Sequence, residues 1–537
     1  MVDAAARRQS LEKTPLPKNI GELIDSAAAD AGDRVLWNFF EGKGEILSYQ
    51  GMRRATNGIA ASFRQIGIGK GSHVAVMLPN IAAFPLTWLA LGRIGAVMIP
   101  INVGYRPREL RHVLTDSGAR FLVIHSACLP VFAAIREDRS TVIPAENTIV
   151  VDGEMQGTHQ WSDVVSIPLE SFPVPEPVNH DDLLNIQYTS GTTGMPKGCM
   201  LPQRYWLSSG MVNAFRDGRR YERILASTPF HYMDPQWLLL MSLFQRATLF
   251  IAARQSTSRF SSWLHTHRIQ FCLLPWVLHA QPKSELDAQN EVIRANVYGV
   301  PPHLHAGLEA RFHLKAREAF GMTEVGPTLF MPLERNDMVG SGSCGIPCPF
   351  RECRVVGEEG AELPAGQVGE LLVRGPGIMT GYYNNPDATA AAFSDGWLRT
   401  GDLFRQDAAG YFYLVGRKKD SIRRSAENIA AREVETVLNS ILLVAESAVI
   451  GVPDELRGEE IKAVIQLKQG VQPSDSTLDT IVAEARQSLA EFKVPRYYVF
   501  RQDFPRTVSL KIAKQVLRDE PGNPVAGCFD RVTQRWI

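Results

Sequence analysis

The sequence has 537 residues, which is more than one hydrophobic core normally serves, so two or more domains are expected. Its 57 basic and 57 acidic side chains give a formal net charge of zero, which argues against nucleic acid or an anionic membrane as the main partner. No run of about twenty apolar residues predicts a transmembrane helix, and residues 1–19 lack the apolar core of a signal peptide. Seven scattered cysteines fit a reducing compartment, so a cytoplasmic protein is expected.

Helices and short apolar strands alternate along the first 330 residues, a spacing typical of βαβ units. The run from His73 to Leu78 is almost wholly apolar, as expected for a strand of a parallel sheet that is covered on both faces. A long helix is predicted from Tyr49 to Ile66, where apolar residues recur at helical spacing and a glycine follows. The other predicted helices span 20–29, 82–94 and 107–116, with one more beginning near 202. The other predicted strands lie at 35–40, 46–49, 97–100, 121–124, 183–187, 225–229, 249–252 and 271–275, followed by a strand that ends in a turn at 296–302 and a short strand and loop at 317–324.

From about Gly345 the predicted secondary structure changes to short strands and turns. This pattern predicts a smaller β-rich, barrel-like subdomain that continues to residue 416. The charged residues 417–420 then interrupt the pattern. Beyond them, a strand with Ile422, a helix at 431–439, strands at 444–452 and 461–467 and a helix at 478–489 predict a compact α+β domain. The fold class is therefore α/β, with a large N-terminal domain (1–416) of βαβ-layered sheets, a linker (417–420) and a small C-terminal domain (421–537).

The segment from Tyr188 to Gly198 reads YTSGTTGMPKG and follows a short apolar strand. Hydroxyls, glycine N–H groups and one lysine are dense in it, and such groups can surround a polyphosphate. It is not a Walker A loop, because Pro196 occupies the place of the second glycine. We therefore predict a phosphate-binding loop rather than a plain turn. Its candidate ligands are Thr189, Ser190, Gly191, Thr192, Thr193, Gly194 and Lys197.

Further polar groups fall in short motifs that could meet this loop in one site. In the motif FGMTE, Glu324 is a candidate Mg²⁺ ligand and Thr323 a donor to a phosphoryl oxygen. Asp402, in the motif TGD, could accept both hydroxyls of a ribose. Arg417 stands at the linker, and Lys511 lies in a basic run near the C-terminus. Taken singly, each of these side chains could instead be a solvated surface charge or, for Asp402, the cap of a turn.

In this order, the segments resemble those of the adenylate-forming enzymes, a family of acyl-CoA synthetases, nonribosomal-peptide adenylation domains and beetle luciferases. The matching stretches are YTSGTTGMPKG (188–198), FGMTE (320–324), DGWLRTGD (395–402), GRKKD (416–420), ENIAAREVE (427–435), EFKVPR (491–496) and the lysine segment 505–514. The resemblance implies that ATP converts a carboxylic acid into an acyl-adenylate with release of pyrophosphate, and that a thiol then displaces AMP. It also implies ATP, Mg²⁺ and CoA as cofactors, and a C-terminal domain that is mobile.

The resemblance assigns a role to each matching position. The loop residues with Lys197 would hold the β- and γ-phosphates, Thr323 and Glu324 would serve the α-phosphate and the metal, and Lys511 would bridge the acid and the phosphate. Asp402 and Arg417 would hold the ribose. The adenine would lie along Gly299, Val300 and Pro301, with Phe320, Gly321 and Met322 nearby.

A hinge at Lys419 and a thiol tunnel along Ser425, Ala426 and Glu427 are also implied by the resemblance. Two positions depart from the family pattern: Ala426 and Leu510 stand where glycine is usual. The added atoms of Ala426 could narrow the tunnel, and leucine cannot take up a positive φ cheaply. We still expect activity, because the lysine itself is present.

The acid pocket is implied to lie between the segment of His231 and the one before Glu324. Its candidates are Phe230, His231 (also a candidate catalytic residue), Met233, Asp234, Trp237, Trp276, Val300 and Val325. The stretch 231–236 is loosely similar to the carnitine/crotonobetaine-CoA ligase branch, and an acidic side chain would suit a cationic or hydrogen-bonding substrate. Alternatively, Asp234 could be a helix N-cap ahead of Pro235, and a medium-chain, alicyclic or aromatic acid would fit as well.

The sequence thus predicts an AMP-forming acyl-CoA ligase that acts on a carboxylic acid and CoA, with no nucleic-acid or integral-membrane partner and with a homodimer left open. Loading of a separate carrier protein is the first alternative. The others are a luciferase-like oxygenase and a nucleotide-binding protein without catalysis.

Overall fold

The computed structural model describes residues 3–42, 44–135, 143–189, 196–424, 427–455, 457–489, 491–507 and 511–537. These residues form two compact units. The first contains the described residues up to 189, together with 196–353 and 373–398, and the second contains 354–372 and the described residues from 399 onward. This division groups part of the β-rich stretch with the C-terminal residues, so the boundary at 417–420 stays a prediction.

The first unit begins with a run of alternating helices and strands. Its helices are α1 (Ala4–Glu12), α2 (Ile20–Ala31), α3 (Tyr49–Ile66), α4 (Ala83–Ile94), α5 (Pro107–Ser117), α6 (Leu129–Ala133), α7 (Trp161–Val165), α8 (Gln203–Phe215), α9 (Met233–Gln245), α10 (Phe260–Thr266) and α11 (Pro302–Phe312). Its strands are β1 (Val35–Phe39), β2 (Ile46–Ser48), β3 (His73–Met77), β4 (Val97–Pro100), β5 (Phe121–His125), β6 (Thr148–Val151), β7 (His159–Gln160), β8 (Leu183–Thr189), β9 (Lys197–Pro202), β10 (Arg223–Ala226), β11 (Thr248–Ile251), β12 (Phe271–Leu273), β13 (Arg294–Val297), β14 (Ala316–Met322), β15 (Gly326–Phe330) and β16 (Ser343–Pro347).

Two sheets organise these elements. In one, the strand order is β7-β6-β5-β3-β4-β8-β9. Strand β3 is parallel to both β4 and β5, and among the described residues of this sheet only the β8–β9 pair is antiparallel. In the other, the strands of this unit follow the order β16-β15-β14-β13-β12-β10-β11-β1-β2. Every residue of α4 is buried, so this helix lies inside the unit rather than on its surface. The parallel, doubly covered strand predicted at His73 is thus confirmed.

Local sequence signals fix the ends of α3 as predicted. The Ser48 hydroxyl accepts from the Gly51 N–H over 3.0 Å and caps the helix N-terminus. Gly67, with φ of 96°, ends the helix in the left-handed conformation that glycine adopts most cheaply. The hairpin of β1 and β2 also pairs as expected.

The second unit combines a β-rich part with an α+β part. Helix α12 (Pro386–Ala392) and strand β19 (Phe393–Ser394) belong to the first unit, and the division falls within β17 (Glu352–Val356), β18 (Val368–Arg374) and β20 (Trp397–Gln406). The other elements of the second unit are α13 (Ala431–Ser440), α14 (Asp475–Ser488), α15 (Lys514–Arg518), β21 (Phe412–Arg417), β22 (Ser421–Arg424), β23 (Glu427–Ala430), β24 (Val444–Asp454), β25 (Gly458–Leu467), β26 (Tyr497–Phe500), β27 (Phe529–Asp530) and β28 (Arg535–Trp536). The C-terminal sheet has the order β23-β22-β25-β26-β27-β28, and β24 pairs with β25.

The sequence did not predict helices α1, α6, α7, α9, α10, α11, α12 and α15, and two of these show clear local signals. Helix α12 interrupts the stretch that we predicted to be β-rich, because the Asn385 side chain accepts from the Ala388 N–H over 3.0 Å and Pro386 suits the first turn. Helix α1 forms near the N-terminus, where the Asp3 carboxylate accepts from the Ala6 N–H over 2.7 Å. Within the described residues, no helix combines the length and apolar character needed to cross a bilayer.

Candidate active site

The predicted phosphate loop joins the antiparallel strands β8 and β9. Thr189, the last residue of β8, lies opposite Lys197, the first residue of β9, and its hydroxyl donates to the Lys197 carbonyl over 3.4 Å. The Lys197 side chain is exposed. The remaining candidates of this loop lie outside the described residues: Ser190, Gly191, Thr192, Thr193 and Gly194. Their role in binding phosphate therefore remains a prediction.

Helix α5 holds the chain on both sides of that loop. His112 Nε2 donates to the Pro196 carbonyl over 2.9 Å, since a carbonyl oxygen can only accept. One turn further along, the Asp116 carboxylate accepts from the Tyr188 hydroxyl over 2.6 Å. Burial, together with that hydrogen bond, raises the pKa of Tyr188 above its usual range. No sequence motif pointed to His112 or Asp116, because each acts through a partner more than 70 residues away.

A second hairpin carries the FGMTE motif. Strand β14 ends at Met322, β15 begins at Gly326, and Thr323 and Glu324 occupy the turn between them with half-buried side chains. A Cβ atom at Gly321 would lie 2.7 Å from the Gly326 carbonyl oxygen, so only glycine allows the two strands to approach this closely. The hairpin thus presents Thr323 and Glu324 at its tip.

Tyr382 connects this tip to the strand of Lys197. Its hydroxyl donates to Glu324 Oε1 over 2.9 Å, and the Lys197 Nζ lies 5.1 Å from the centroid of its ring. The backbone of residues 379–383 runs antiparallel to β9, with Tyr383 N–H donating to the Gly198 carbonyl over 2.8 Å. The structure therefore brings together Lys197 and Glu324, which lie on separate predicted motifs. Sequence reasoning missed Tyr382.

Arg351 fixes the base of the same hairpin. Its buried guanidinium donates to four carbonyl oxygens: twice to Val325, over 3.0 and 2.8 Å, and once each to Phe350, Pro376 and Gly377, over 2.9 to 3.0 Å. Burial lowers the pKa of Arg351 from its usual value. Because these bonds join the hairpin tip to the segment before Tyr382, Arg351 holds both sides of the Glu324–Tyr382 contact.

The predicted adenine segment is held by a buried acid. The N–H groups of Gly299 and Val300 donate to the two carboxylate oxygens of Glu318, over 3.1 and 2.6 Å. Glu318 lies on β14, in the same strand as Phe320, and its residue is 4% exposed. Pro301 follows as the N-cap residue of α11. The segment 299–301 is thereby tied to the strand that leads to Thr323.

The candidate acid pocket contains one buried histidine. Among the described residues, neither ring nitrogen of His231 has a hydrogen-bond partner, and burial lowers the pKa of His231 to about 4. Its imidazole is therefore neutral at physiological pH. The carbonyl of His231 accepts from Gln187 Nε2 over 2.8 Å, which places it beside strand β8. A neutral ring with two free nitrogens can donate to one ligand atom and accept from another.

Asp234 sits in the first turn of α9, and the suggested alternative role as N-cap is wrong. The helix begins at Met233, because the extended residue is Tyr232, so Asp234 lies inside the helix. Its carboxylate instead accepts from the Trp237 indole N–H over 3.1 Å. Burial raises the pKa of Asp234, whereas the bond from Trp237 lowers it. In the part of the chain that the structure describes, no basic side chain pairs with Asp234.

The other pocket candidates differ in how much surface they offer. Met233 is half-buried and its sulfur accepts from the Tyr205 hydroxyl over 3.8 Å. Trp276 is half-buried and stacks on His279. Phe230 and Val325, by contrast, have no exposed surface. The Phe230 ring packs against the rings of Phe39 and Phe84 in the core, with centroid distances of 6.4 and 5.5 Å, and Val300 is also buried.

The second unit brings three predicted residues together. Asp402 and Arg417 face each other across the β20–β21 pair, and Arg417 Nε lies 3.0 Å from Asp402 Oδ1. The Asp402 side chain is 4% exposed and that of Arg417 is 45% exposed. Lys511 has an exposed side chain, and its backbone N–H donates to the Thr507 hydroxyl over 3.2 Å. The partial loss of contact between the Lys511 ammonium and water lowers the pKa of Lys511. The positive charge of Arg417 lowers this pKa further, whereas the negative charge of Asp402 raises it.

Several predictions fall outside what the structure describes. Lys419 lies in a short 3-10 helix at 418–420, and Glu427 begins β23, but their side chains are not among those described. Ser425, Ala426 and Leu510 lie outside the described residues. The hinge, the thiol tunnel and the effects of the two departures from the family pattern therefore stay predictions.

Glu324 is suited to a cation that arrives with a nucleotide. One of its carboxylate oxygens accepts from Tyr382, and no basic side chain among the described residues neutralises the other. Across the described chain, no three His, Cys, Asp or Glu side chains converge in a way that would hold a metal alone. A single carboxylate that shares the cation with phosphate oxygens and water is the usual arrangement for Mg²⁺. The residues present thus fit Mg²⁺ bound as a nucleotide complex.

Two family models match the sequence. One, described as AMP-binding enzyme, matches residues 24–383, and the other, described as AMP-binding enzyme C-terminal domain, matches residues 433–511. The chain is 29% identical over 521 residues to a protein named crotonobetaine/carnitine–CoA ligase from Salmonella choleraesuis (strain SC-B67), with 93% of this chain and 99% of that protein covered.

Solved structures give the same picture of the fold. The chain is similar to ATP-bound MatB from Rhodopseudomonas palustris, with a TM-score of 0.82, 25% sequence identity and coverage of 93% of this chain and 98% of that one. It is also similar to o-succinylbenzoate CoA synthetase from Bacillus subtilis in complex with its acyl-adenylate intermediate, with a TM-score of 0.81, 23% identity and coverage of 95% and 100%. The latter likeness concerns the fold alone.

Proposed function

The chain belongs to the AMP-binding enzyme family, and we propose that it is an ATP-dependent acyl-CoA ligase. A carboxylate oxygen of the acid attacks the α-phosphorus of ATP and pyrophosphate leaves. The thiol of CoA then attacks the acyl carbon, and AMP leaves. The observation that carries this proposal is the contact of Tyr382 with both Lys197 and Glu324, because it joins the two motifs expected to serve the phosphates.

In the first step, charged side chains offset the negative charge of three phosphates and a carboxylate. Lys197 binds the phosphates that leave, Thr323 donates its hydroxyl to the α-phosphate, and Lys511 bridges the α-phosphate and the acid. A magnesium ion held by Glu324 and the phosphates would neutralise charge that develops on the phosphoryl oxygens. Asp402 accepts from the ribose hydroxyls, while the buried Glu318 keeps the adenine segment in place.

His231 takes part as a neutral imidazole. Its lowered pKa of about 4 keeps it unprotonated at physiological pH, so it can offer a hydrogen bond without adding charge. Because both ring nitrogens lack partners among the described residues, a bound acid or thiol would satisfy a group that is otherwise costly to bury. We assign His231 to orienting the acid rather than to proton transfer.

The test of this function is a panel of carboxylic acids, assayed for AMP release with and without CoA. Thioester formation that depends on both ATP and CoA supports an acyl-CoA ligase. AMP release that requires a holo carrier protein, or light emission with oxygen, would support the alternatives instead. ATP binding without any thioester across the panel would contradict the proposal.

We propose further that the acid carries a positive charge. Asp234 is a half-buried carboxylate without a basic partner among the described residues, and the Trp237 indole donates a hydrogen bond to it. A carboxylate beside an aromatic ring suits an alkylammonium group. The relative named crotonobetaine/carnitine–CoA ligase is named for two acids of this kind, each with a quaternary ammonium.

A matched pair of substrates tests the charge itself. Crotonobetaine and its neutral carbon isostere, 5,5-dimethylhex-2-enoate, have the same shape but differ by one charge. We expect kcat/KM to favour crotonobetaine by about tenfold or more, the size of one partly desolvated charge pair. Asp234→Asn should remove most of this preference by lowering activity on the cation alone. Equal use of both acids by the wild type would exclude a cationic substrate while leaving the ligase proposal intact.

We also propose that the segment after Lys419 changes its position between the two steps, so that Lys511 serves adenylation and the strand of Glu427 lines the thiol's path. Lys419→Pro would restrict the backbone at this point. Pyrophosphate exchange should stay near the wild-type rate, whereas thioester formation should fall strongly. A parallel loss of both activities would contradict the hinge.

A further inference from the structure

We propose that Tyr382 is a positioning residue that holds Lys197 and Glu324 in place without neutralising either charge. The inference rests on the proposed function, in which these two side chains serve the phosphates and the cation. No motif of the sequence singled out Tyr382, and the inference comes from its contacts alone. It concerns one phenol group that touches both an ammonium and a carboxylate.

The backbone of Tyr382 is tied to the strand that carries Lys197. Tyr383 N–H donates to the Gly198 carbonyl over 2.8 Å, and Met200 N–H donates to the Gly381 carbonyl over 2.9 Å. On its other side, Tyr382 N–H donates to the Thr389 hydroxyl over 2.9 Å. Because these bonds lie on both flanks, the position of the phenol is set by the backbone rather than by the ligand.

The Tyr382 hydroxyl restricts the rotation of the Glu324 carboxylate. It donates to Oε1 over 2.9 Å, and Met379 N–H donates to the Glu324 backbone carbonyl over 2.8 Å. A phenol donates one hydrogen bond without cancelling the carboxylate charge, unlike an arginine or lysine partner. Among the described residues no hydrogen bond or ion pair engages Oε2, so it can face a cation, and the bond at Oε1 orients it before the cation binds.

The ring of Tyr382 holds Lys197 in a comparable way. The Nζ atom lies 5.1 Å from the ring centroid, a distance at which the π face attracts an ammonium. Lys197 and Glu324 are not within ion-pair distance of each other, although one side chain contacts both. Tyr382 thus contacts an acid and a base without forming an ion pair with either, and both charges stay available to the nucleotide.

Three variants of the full-length protein separate the two contacts. Tyr382→Phe removes the hydroxyl and keeps the ring, whereas Tyr382→Leu removes both. The control is Tyr413→Phe, because Tyr413 also donates to a carboxylate over 2.9 Å, at Asp407, and also lies under a cation, with Arg405 at 4.1 Å from its ring centroid. Its contacts are of the same kind but involve none of the candidate phosphate or metal residues.

The readout is the affinity for Mn²⁺, a paramagnetic probe for the Mg²⁺ site, measured by electron paramagnetic resonance in the presence of α,β-methylene-ATP. We expect Tyr382→Phe to weaken Mn²⁺ binding about threefold to tenfold, as for loss of one supporting hydrogen bond. Its KM for ATP should stay within about twofold, because the ring contact remains. Tyr382→Leu should also raise the KM for ATP, and Tyr413→Phe should change neither quantity.

Unchanged Mn²⁺ affinity in Tyr382→Phe would overturn the inference, as would an equal loss in Tyr413→Phe. Melting temperatures of all variants identify any general loss of stability. The proposed function has its own control: if the wild type binds Mn²⁺ with the nucleotide but forms no acyl-adenylate, the function fails while the positioning role of Tyr382 stands. If the wild type forms acyl-adenylate and Tyr382→Phe binds Mn²⁺ normally, only the inference fails.

Discussion

The candidate residues of the first unit and those of the second are held by different kinds of contact. In the first unit, Lys197 and Glu324 touch a neutral phenol, and backbone hydrogen bonds fix the segments that carry them. In the second unit, Asp402 forms an ion pair with Arg417, and the charges of both side chains shift the pKa of the exposed Lys511. One group is positioned by neutral partners, and the other is positioned by charged ones.

Because of this difference, we expect the two groups of residues to respond differently to salt concentration and pH. A contact that involves an exposed charge, such as that of Arg417 or Lys511, weakens as salt screens it, whereas hydrogen bonds to a buried backbone do not. Charged neighbours also move the pKa of a lysine, which makes its charge depend on pH. The candidate residues of the second unit should therefore be more sensitive to salt and pH than those of the first, and the following experiments test that contrast.

The largest effect is expected for Lys511→Ala. Loss of an ammonium that offsets charge in the transition state typically costs about 10²- to 10³-fold in rate, and only the step that uses it should suffer. Pyrophosphate exchange should fall by this factor, while a supplied acyl-adenylate should still react with CoA. Lys468→Ala, at an exposed lysine of the same unit, is the control. Equal loss in both half-reactions would contradict the role of Lys511.

Glu324→Gln should have the next largest effect, because it removes the charge while keeping the shape. We expect kcat/KM to fall by about 10- to 100-fold at low Mg²⁺, the usual cost of disturbing a metal's surroundings. Raising the Mg²⁺ concentration should restore part of the activity in a metal titration. A loss that does not depend on Mg²⁺ would show that Glu324 has a structural role.

Asp402→Asn should raise the KM for ATP by about tenfold, as expected for a hydrogen bond to a charged group. Comparison of ATP with 2′-deoxy-ATP isolates the ribose contact, since the wild type should distinguish the two and the variant should not. The difference should shrink at high salt if the exposed Arg417 supports the contact. Unchanged discrimination in the variant would place the ribose elsewhere.

The charge of Lys511 should also set the alkaline limit of the reaction. Its pKa lies below the 10.5 of an unperturbed lysine, so the active ammonium is present at lower pH and is lost as the pH rises through that lowered value. Adenylation should decline before pH 10.5, whereas Lys511→Arg, which stays charged, should extend the activity to higher pH. An identical pH profile in both proteins would exclude Lys511 as the titrating group.

The smallest effect is expected for His112→Ala, which loses one bond that supports the β8–β9 connection. The KM for ATP should rise about threefold to tenfold, consistent with one hydrogen bond, and His112→Gln should recover part of the loss. His180→Ala is a close control, because His180 also donates to a proline carbonyl, that of Pro17, over 2.8 Å. If both alanine variants behave alike, His112 supports stability rather than nucleotide binding.

Much of the fold could be predicted because its signals are local. The capping serine and the terminal glycine of α3 lie next to the helix that they delimit. The almost wholly apolar run that begins at His73 is by itself enough to predict a strand within a parallel sheet. The resemblance to adenylate-forming enzymes, carried by short motifs, is confirmed by the family match. Helix α12 was missed because Asn384, Asn385 and Pro386 at its start resemble a turn, although the four alanines that follow favour a helix.

The supporting residues of the site could not be predicted in the same way. Tyr382 meets Glu324 across 58 residues and His112 meets Pro196 across 84, so neither contact leaves a pattern in neighbouring residues. Nothing in the residues around Glu318 distinguishes it from another acidic residue in a strand. Its role becomes evident only from the N–H groups of Gly299 and Val300 that donate to its carboxylate. Asp234 resembles an N-cap because Pro235 follows it, but the helix begins at Met233, two residues earlier than an N-cap at Asp234 would require.

The guanidinium of Arg351 has a consequence beyond holding chain segments together. Its partners are carbonyl oxygens, and no carboxylate within the described structure lies at ion-pair distance to cancel its charge. A permanent positive charge in a medium of low polarisability produces an electric field that solvent ions can hardly screen. The charge lies next to the turn that carries Thr323 and Glu324, because two of its hydrogen bonds go to the carbonyl of Val325, the residue that follows them. We expect this charge to favour a phosphate group at that turn, with little dependence on salt concentration.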